Sequence, residues 1–147
     1  MRILLAALLL IGCGKKEEQD PALDYIIKDV TGDVAKAKAA IAAGKPDDGQ
    51  FKCAGALAGL AQLKTAKPEL AKELDDTCNH DIHLAFLTRA TEKAEAARKA
   101  QPDAKVVSEC FSADHDLAVE SLRKAKREDD AAKALEARFD AACPKTK

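Results

Sequence analysis

The sequence has few aromatic residues and lacks the motifs that mark most enzymes. Its 147 residues include no tryptophan, one tyrosine and four phenylalanines. It holds no run of β-branched residues in an alternating pattern, so a fold built on β-sheet is not expected. It also holds no P-loop, nucleophile elbow or glycine-rich dinucleotide-binding turn. We therefore expect a non-catalytic protein.

A large excess of charge of either sign is missing as well. The 24 lysine and arginine residues nearly balance the 25 aspartate and glutamate residues, and the two signs are interspersed along the chain. A nucleic-acid partner would require a strongly basic surface, so none is predicted. The abundance of alanine, lysine and glutamate instead favours helices. The chain beyond the first twenty residues, 21–147, is long enough for a single domain with a modest core.

The first thirteen residues hold the longest apolar run of the chain. Residues 3–11 are apolar but too few to span a bilayer, and Arg2 precedes them. Together with Leu10-Ile11-Gly12-Cys13, this segment resembles a bacterial lipoprotein signal peptide with its lipobox. The resemblance implies that residues 1–12 are removed and that Cys13 carries a covalent lipid, with no other cofactor. An ordinary secretory signal and an uncleaved anchor are the alternatives, and both also place the remaining chain outside the cytosol.

The lipoprotein resemblance implies a location in the bacterial cell envelope, facing the periplasm or the exterior. Several acyl chains on Cys13 would make the membrane attachment stable, and the polar residues 13–20 would form a short tether. An aspartate after the cysteine resembles the inner-membrane retention signal of enteric bacteria. Gly14 stands there instead, which favours the outer membrane. The membrane is then reached through the lipid, a partner would be another envelope protein, and the oligomeric state stays open.

Proline and glycine divide the remaining sequence into about six helices, which predicts an all-α fold. Apolar residues recur at helical spacing between these breaks, and each break carries a residue that ends or begins helices. Asp20-Pro21 is typical of a helix start, and Gly44 is typical of a helix end. The predicted helices span approximately 21–43, 48–66, 68–78, 81–100, 104–126 and 129–143.

The chain also resembles itself at an offset of 57 residues. The matching segments are Lys36-Ala37-Lys38-Ala39-Ala40 with Lys93-Ala94-Glu95-Ala96-Ala97, Cys53 with Cys110, and Leu60-Ala61 with Leu117-Ala118. This pattern predicts two copies of a three-helix unit, about 21–78 and 79–143, built from antiparallel hairpins. Chance similarity between alanine- and lysine-rich helices is the alternative.

Four cysteines remain after Cys13, an even number that predicts disulfides in an oxidising compartment. In an antiparallel hairpin, residues equidistant from the turn lie opposite one another. The midpoints of two cysteine pairs fall at predicted turns, so we predict the disulfides Cys53–Cys78 and Cys110–Cys143. The pairing Cys53–Cys110 with Cys78–Cys143 also respects the repeat and stays open. No Cys-x-x-Cys motif occurs, so a redox-catalytic pair is not expected.

The histidines and a pair of closely spaced glycines form two further motifs. His80, His83 and His115 are the only candidate metal ligands, and a metal-binding or metal-dependent periplasmic protein is the alternative function. Surface or capping roles are the favoured interpretation, with Asn79 or Asp81 capping the fourth helix. The spacing of Gly55 and Gly59 predicts close packing of two helices, with self-association as the alternative.

The helix ends Ala97-x-x-Ala100-x-Pro102 and Leu60-x-x-Leu63 followed by Pro68 resemble those of tetratricopeptide-type repeats. The large aromatic positions of that repeat are absent. The resemblance therefore implies an array of helical hairpins and carries over no binding residues. The sequence as a whole predicts a lipid-anchored, all-α interaction or structural module of the cell envelope.

Overall fold

The computed structural model describes residues 20–144, which form helices and connecting turns. The α-helices are α1 (Pro21–Ala42), α2 (Pro46–Ala56), α3 (Leu60–Ala66), α4 (Pro68–Asp76), α5 (Ile82–Ala100), α6 (Ala113–Lys124) and α7 (Asp130–Ala142). Shorter helical segments of 3-10 type are Leu57–Gly59 and Ser108–Phe111, and Thr77–Asp81 is a π-helical turn. No strand occurs in this part of the chain, which confirms the predicted all-α class. The predicted signal peptide and Cys13 lie outside the described residues.

Helix α1 begins and ends as the sequence predicts. The Asp20 carboxylate accepts a hydrogen bond from the backbone N–H of Ala22 at 3.0 Å, and Pro21 occupies the first helical position. At the other end, Gly44 has φ +70, and the Lys45 N–H donates to the Ala40 carbonyl at 2.9 Å. This is a Schellman ending, which requires a left-handed residue and therefore favours glycine.

The first core lies between α1 and the helices α2, α3 and α4. Its buried residues are small or aliphatic, and they include Val30, Val34, Ala37, Ala56, Leu63 and Leu74. Helix α1 and the 3-10 segment Leu57–Gly59 approach closely at Gly59, where an added Cβ would lie 3.0 Å from Ile26 and 3.2 Å from Val30. Gly55 is exposed and has only Asp33 within 4 Å of that position. Of the two glycines in the predicted packing pattern, only Gly59 is in a close contact.

The second core forms where α6 and α7 pack on α5. Its buried residues are Ile82, Phe86, Leu87, Ala118, Val119, Leu122, Ala132 and Leu135, and a smaller cluster of Ala90, Ala94, Phe139 and Ala142 continues it along α5. Both α6 and α7 pack principally against α5. Ile41 near the end of α1 also packs on this core and links it to the first one.

The predicted break between the third and fourth helices is wrong. Helices α4 and α5 are joined by the π-helical turn, so the chain is helical from residue 68 to residue 100 and forms a single rod. The described residues thus contain five uninterrupted helical rods instead of about six. Asn79 and Asp81 do not cap a helix: the Asn79 side chain donates to Asp75 at 2.8 Å, and Asp81 contacts His80. The turn contains no proline or glycine to end the helix, and Cys78 within it is fixed by a disulfide to Cys53.

The start of the predicted fifth helix is also wrong. Helix α6 begins at Ala113, with Ser112 as its N-cap, and residues 101–107 are not helical. Val107 is extended, with φ −101 and ψ 149, and is only 2% exposed. Burial of its side chain in the extended conformation therefore replaces helix formation here. Cys110 lies in a 3-10 segment, whereas Cys53, its predicted counterpart, lies in α2.

Candidate functional site

Residues 20–144 contain two disulfides, and they are the pairs that the sequence predicts. Cys53 is joined to Cys78 with a Cα–Cα distance of 5.3 Å, and Cys110 is joined to Cys143 with a distance of 5.4 Å. The alternative pairing is therefore absent. The surroundings of the two bonds differ, because Cys53 and Cys78 are each 3% exposed in the first core, whereas Cys110 and Cys143 are both partly exposed.

A cleft of about 620 Å³ lies beside the Cys110–Cys143 disulfide; we call it the C-terminal cleft. The 3-10 segment Ser108–Phe111, α6 and α7 line the cleft. Its apolar residues include Val106, Phe111, Val119 and Phe139, and its charged residues include Arg123 and Glu136. Phe111 is 82% exposed and Val106 is 40% exposed. The cleft thus combines a partly exposed disulfide with apolar surface that is open to a ligand.

His115 lies within the C-terminal cleft. Its ring stacks on that of Phe139 with a centroid separation of 3.7 Å and an angle of 14° between the planes. Its Nδ1 is 3.0 Å from an oxygen of Asp116, and its Nε2 is buried and contacts no hydrogen-bonding group of residues 20–144. A buried polar atom without a partner is costly. Because this nitrogen is shielded from solvent, a ligand in the cleft would reach it only after the ring moves.

The other two histidines lie in different surroundings. His80 in the π-helical turn contacts Asp81 through Nδ1 at 2.8 Å and Asp129 through Nε2 at 2.9 Å. His83 on α5 is partly buried, and this burial lowers its pKa below the usual 6.5. Within residues 20–144, no group of three or more histidine, cysteine, aspartate or glutamate residues is placed to hold a metal ion. The structure does not bring the three candidate ligands together.

Arg89 joins three helices and was not identified from the sequence. Its guanidinium on α5 donates to Asp47 on α2, and its Nη2 donates to Asp114 on α6 at 2.6 Å. The hydrogen bond from Arg89 holds the pKa of Asp47 below its usual value. The two partners are 42 and 25 residues away in sequence, so no local spacing could indicate the contact.

A second set of ion pairs attaches the turn between α6 and α7 to the end of α4. Arg127 in this turn donates to Asp75 at 3.2 Å and also to Asp76. The pKa of Asp76 is lowered, mainly by the hydrogen bond from Lys72 and then by that from Arg127. With the contact between His80 and Asp129, these bonds position the turn against the π-helical turn.

Three of the five aromatic residues in the sequence lie on the surface. Tyr25, Phe51 and Phe111 are 70%, 77% and 82% exposed. They belong to α1, α2 and the 3-10 segment before α6, so they are distributed over the molecule. Among the described helices, none combines the length and hydropathy needed to cross a bilayer.

Comparison with known proteins gives no family. No family model matches the chain, and no curated protein and no solved structure has significant similarity to it.

Proposed function

We propose that this chain is a lipid-anchored helical protein of the bacterial cell envelope that serves as a non-catalytic interaction or structural module. The observation that carries the proposal is the pair of intramolecular disulfides in a chain that begins with a lipobox-like segment. Disulfides of this kind persist in oxidising compartments such as the bacterial periplasm. The lipobox would then supply the membrane attachment through Cys13, with the outer membrane as the favoured location.

The interaction role is supported by where the aromatic residues lie. A small helical protein usually uses its few aromatic side chains in its core, because they bury the largest apolar area. Here alanine and aliphatic residues fill most of both cores, and three aromatic side chains are exposed instead. Aromatic residues are enriched in protein interfaces, where they often dominate the binding energy. We therefore assign Phe111, beside the C-terminal cleft, as the leading candidate for contact with an envelope protein.

The finer architecture that we propose is a duplication. Units 21–78 and 79–143 would be copies of one three-helix unit, joined inside the rod formed by α4 and α5. The first unit ends with Cys78, which is bonded to Cys53, 25 residues earlier. The second unit ends with Cys143, which is bonded to Cys110, 33 residues earlier. The different conformations around Cys53 and Cys110 would then reflect divergence of the second copy after the loop 101–107 lengthened.

The test has two parts, both made with the full chain carrying a C-terminal tag. Metabolic labelling with a radioactive fatty acid is expected to label the protein, and Cys13→Ser is expected to abolish the label and release the protein from membranes. Labelling that persists in the variant, or a wild-type protein that is never labelled, would contradict the lipid anchor.

The second part identifies the partner. Crosslinking in intact cells, followed by mass spectrometry, is expected to capture a specific envelope protein with the wild type and much less of it with Phe111→Ala. Leu117→Ala is the matched control, since Leu117 is also exposed, at 63%, but does not line the cleft. An empty capture, under conditions that succeed for another lipoprotein, would contradict the interaction role.

A further inference from the structure

The two disulfides differ in how readily another thiol could reach them. Exchange requires a thiolate to approach one sulfur of the bond, so access limits the rate. Cys53 and Cys78 are surrounded by the first core, and both are 3% exposed. Cys110 and Cys143 are partly exposed and line the C-terminal cleft. A thiol could therefore approach the second bond without unfolding of a helix, whereas the first is accessible only when the core opens.

The chain around the exposed bond is also locally irregular. Cys143 follows the last residue of α7, and exposed Pro144 comes next. Cys110 lies in a four-residue 3-10 segment whose neighbouring residues 101–107 are not helical. Segments with few backbone hydrogen bonds open locally at a lower free energy than helices in a core do. Neither cysteine thus lies inside an α-helix, although the Cys143 side chain packs against the cluster that continues the second core along α5.

From these observations we infer that Cys110–Cys143 is a thiol–disulfide exchange site whose reagent is a dithiol, and that Cys53–Cys78 is a permanent structural bond. In the first step, a thiolate of the dithiol attacks one sulfur of Cys110–Cys143. That bond breaks, a mixed disulfide forms, and the other cysteine leaves as a thiolate that takes up a proton. The second thiol of the dithiol loses its proton and attacks the mixed disulfide. The dithiol ends as a disulfide, and Cys110 and Cys143 end as thiols, so two electrons and two protons have been transferred.

The test uses the purified full-length lipoprotein in detergent, with dithiothreitol as the dithiol. Samples taken during reduction under native conditions are alkylated, and the modified peptides are quantified by mass spectrometry. We expect Cys110 and Cys143 to be alkylated more than about tenfold faster than Cys53 and Cys78, because the buried pair must await opening of the core. In denaturant the two rates are expected to converge. Equal rates under native conditions, or faster loss of Cys53–Cys78, would overturn the inference.

The ratio of the two wild-type rates decides the exchange site. The measurement needs no membrane, so failure here leaves the proposed anchoring untouched.

Discussion

Alanine substitutions at two glycines of α2 are expected to have opposite effects on stability. Gly49 and Gly55 lie on the same helix, and replacing either by alanine favours the helix by about 0.5–1 kcal/mol. Their surroundings differ. A Cβ on Gly49 would lie 2.7 Å from Cδ1 of Ile82 and 3.3 Å from the Ala37 carbonyl oxygen, whereas a Cβ on Gly55 would meet only Asp33, at 3.8 Å.

The difference between the two variants isolates the cost of overpacking. Ile82 is 1% exposed in the second core, and the Ala37 oxygen belongs to the backbone of α1. Neither atom can move away freely, and an added methyl group in a packed core costs about 1–3 kcal/mol. Because the gain in helix propensity is common to both substitutions, Gly49→Ala should be about 1–3 kcal/mol less stable than Gly55→Ala. Gly55→Ala itself should be slightly more stable than the wild type.

Urea unfolding followed by circular dichroism at 222 nm measures these free energies. The Cys13→Ser background removes the proposed lipid and with it the need for detergent, and both disulfides are kept oxidised in every sample. The same slope of free energy against urea concentration in all variants would show that the unfolded states are comparable. A Gly49→Ala protein as stable as Gly55→Ala would refute the close approach of α2 to α5 at Ile82.

Three further predictions concern the helix ends and the charged groups. Lys126 has φ +56 just after α6, where the Arg127 N–H donates to the Leu122 carbonyl. Lys126→Gly should therefore raise the free energy of unfolding by about 0.5–1 kcal/mol. Lys124→Gly, at the last residue of α6, should lower it, and a loss of stability at both positions would contradict the assigned helix ending. The pKa of His83 is lowered by burial, so as the pH falls below the usual 6.5 the unfolded chain binds a proton that the folded protein does not, and stability falls. Denaturant unfolding between about pH 7.5 and 5, roughly the range in which histidine titrates, should therefore show a smaller loss of stability for His83→Gln than for the wild type. Parallel curves of unfolding free energy against pH would show that His83 is not buried. Arg89→Gln removes the hydrogen bond that lowers the pKa of Asp47, so an NMR titration should show the pKa of Asp47 rising toward its usual value. Asp129 is the control, because its pKa is lowered mainly by the hydrogen bond from the Ala132 N–H and should not change. An unchanged pKa of Asp47 would refute the contact between Arg89 and Asp47.

Local signals in the sequence account for what could be predicted. The start of α1 at Asp20-Pro21 and its end at Gly44 depend on residues within a turn of each boundary, so the sequence identifies them. The disulfide pairs follow from positions along a hairpin and need only the turns to be approximately placed. Even the second pair was predicted correctly, although Cys110 is not on an α-helix.

Tertiary contacts decide what could not be predicted. The π-helical turn carries no proline or glycine, and its continuity depends on Cys78 and Ile82 being held in the cores. Val107 leaves the helical conformation because its side chain is buried, and Lys126 ends α6 without the expected glycine. The contacts of Arg89 connect residues far apart in sequence. None of these features produces a pattern within a window of a few residues.

The rod from residue 68 to residue 100 has a mechanical consequence. At 1.5 Å per residue, these 33 residues extend about 50 Å. The boundary between the two proposed sequence units falls inside this rod, where a flexible linker would otherwise be expected. One disulfide holds the rod at Cys78, about a third of the way along it, and α6 and α7 pack along its second half. Because the chain stays helical from α4 to α5, any change of direction between the two halves has to occur at the π-helical turn, where the regular hydrogen-bond pattern of the α-helix is interrupted.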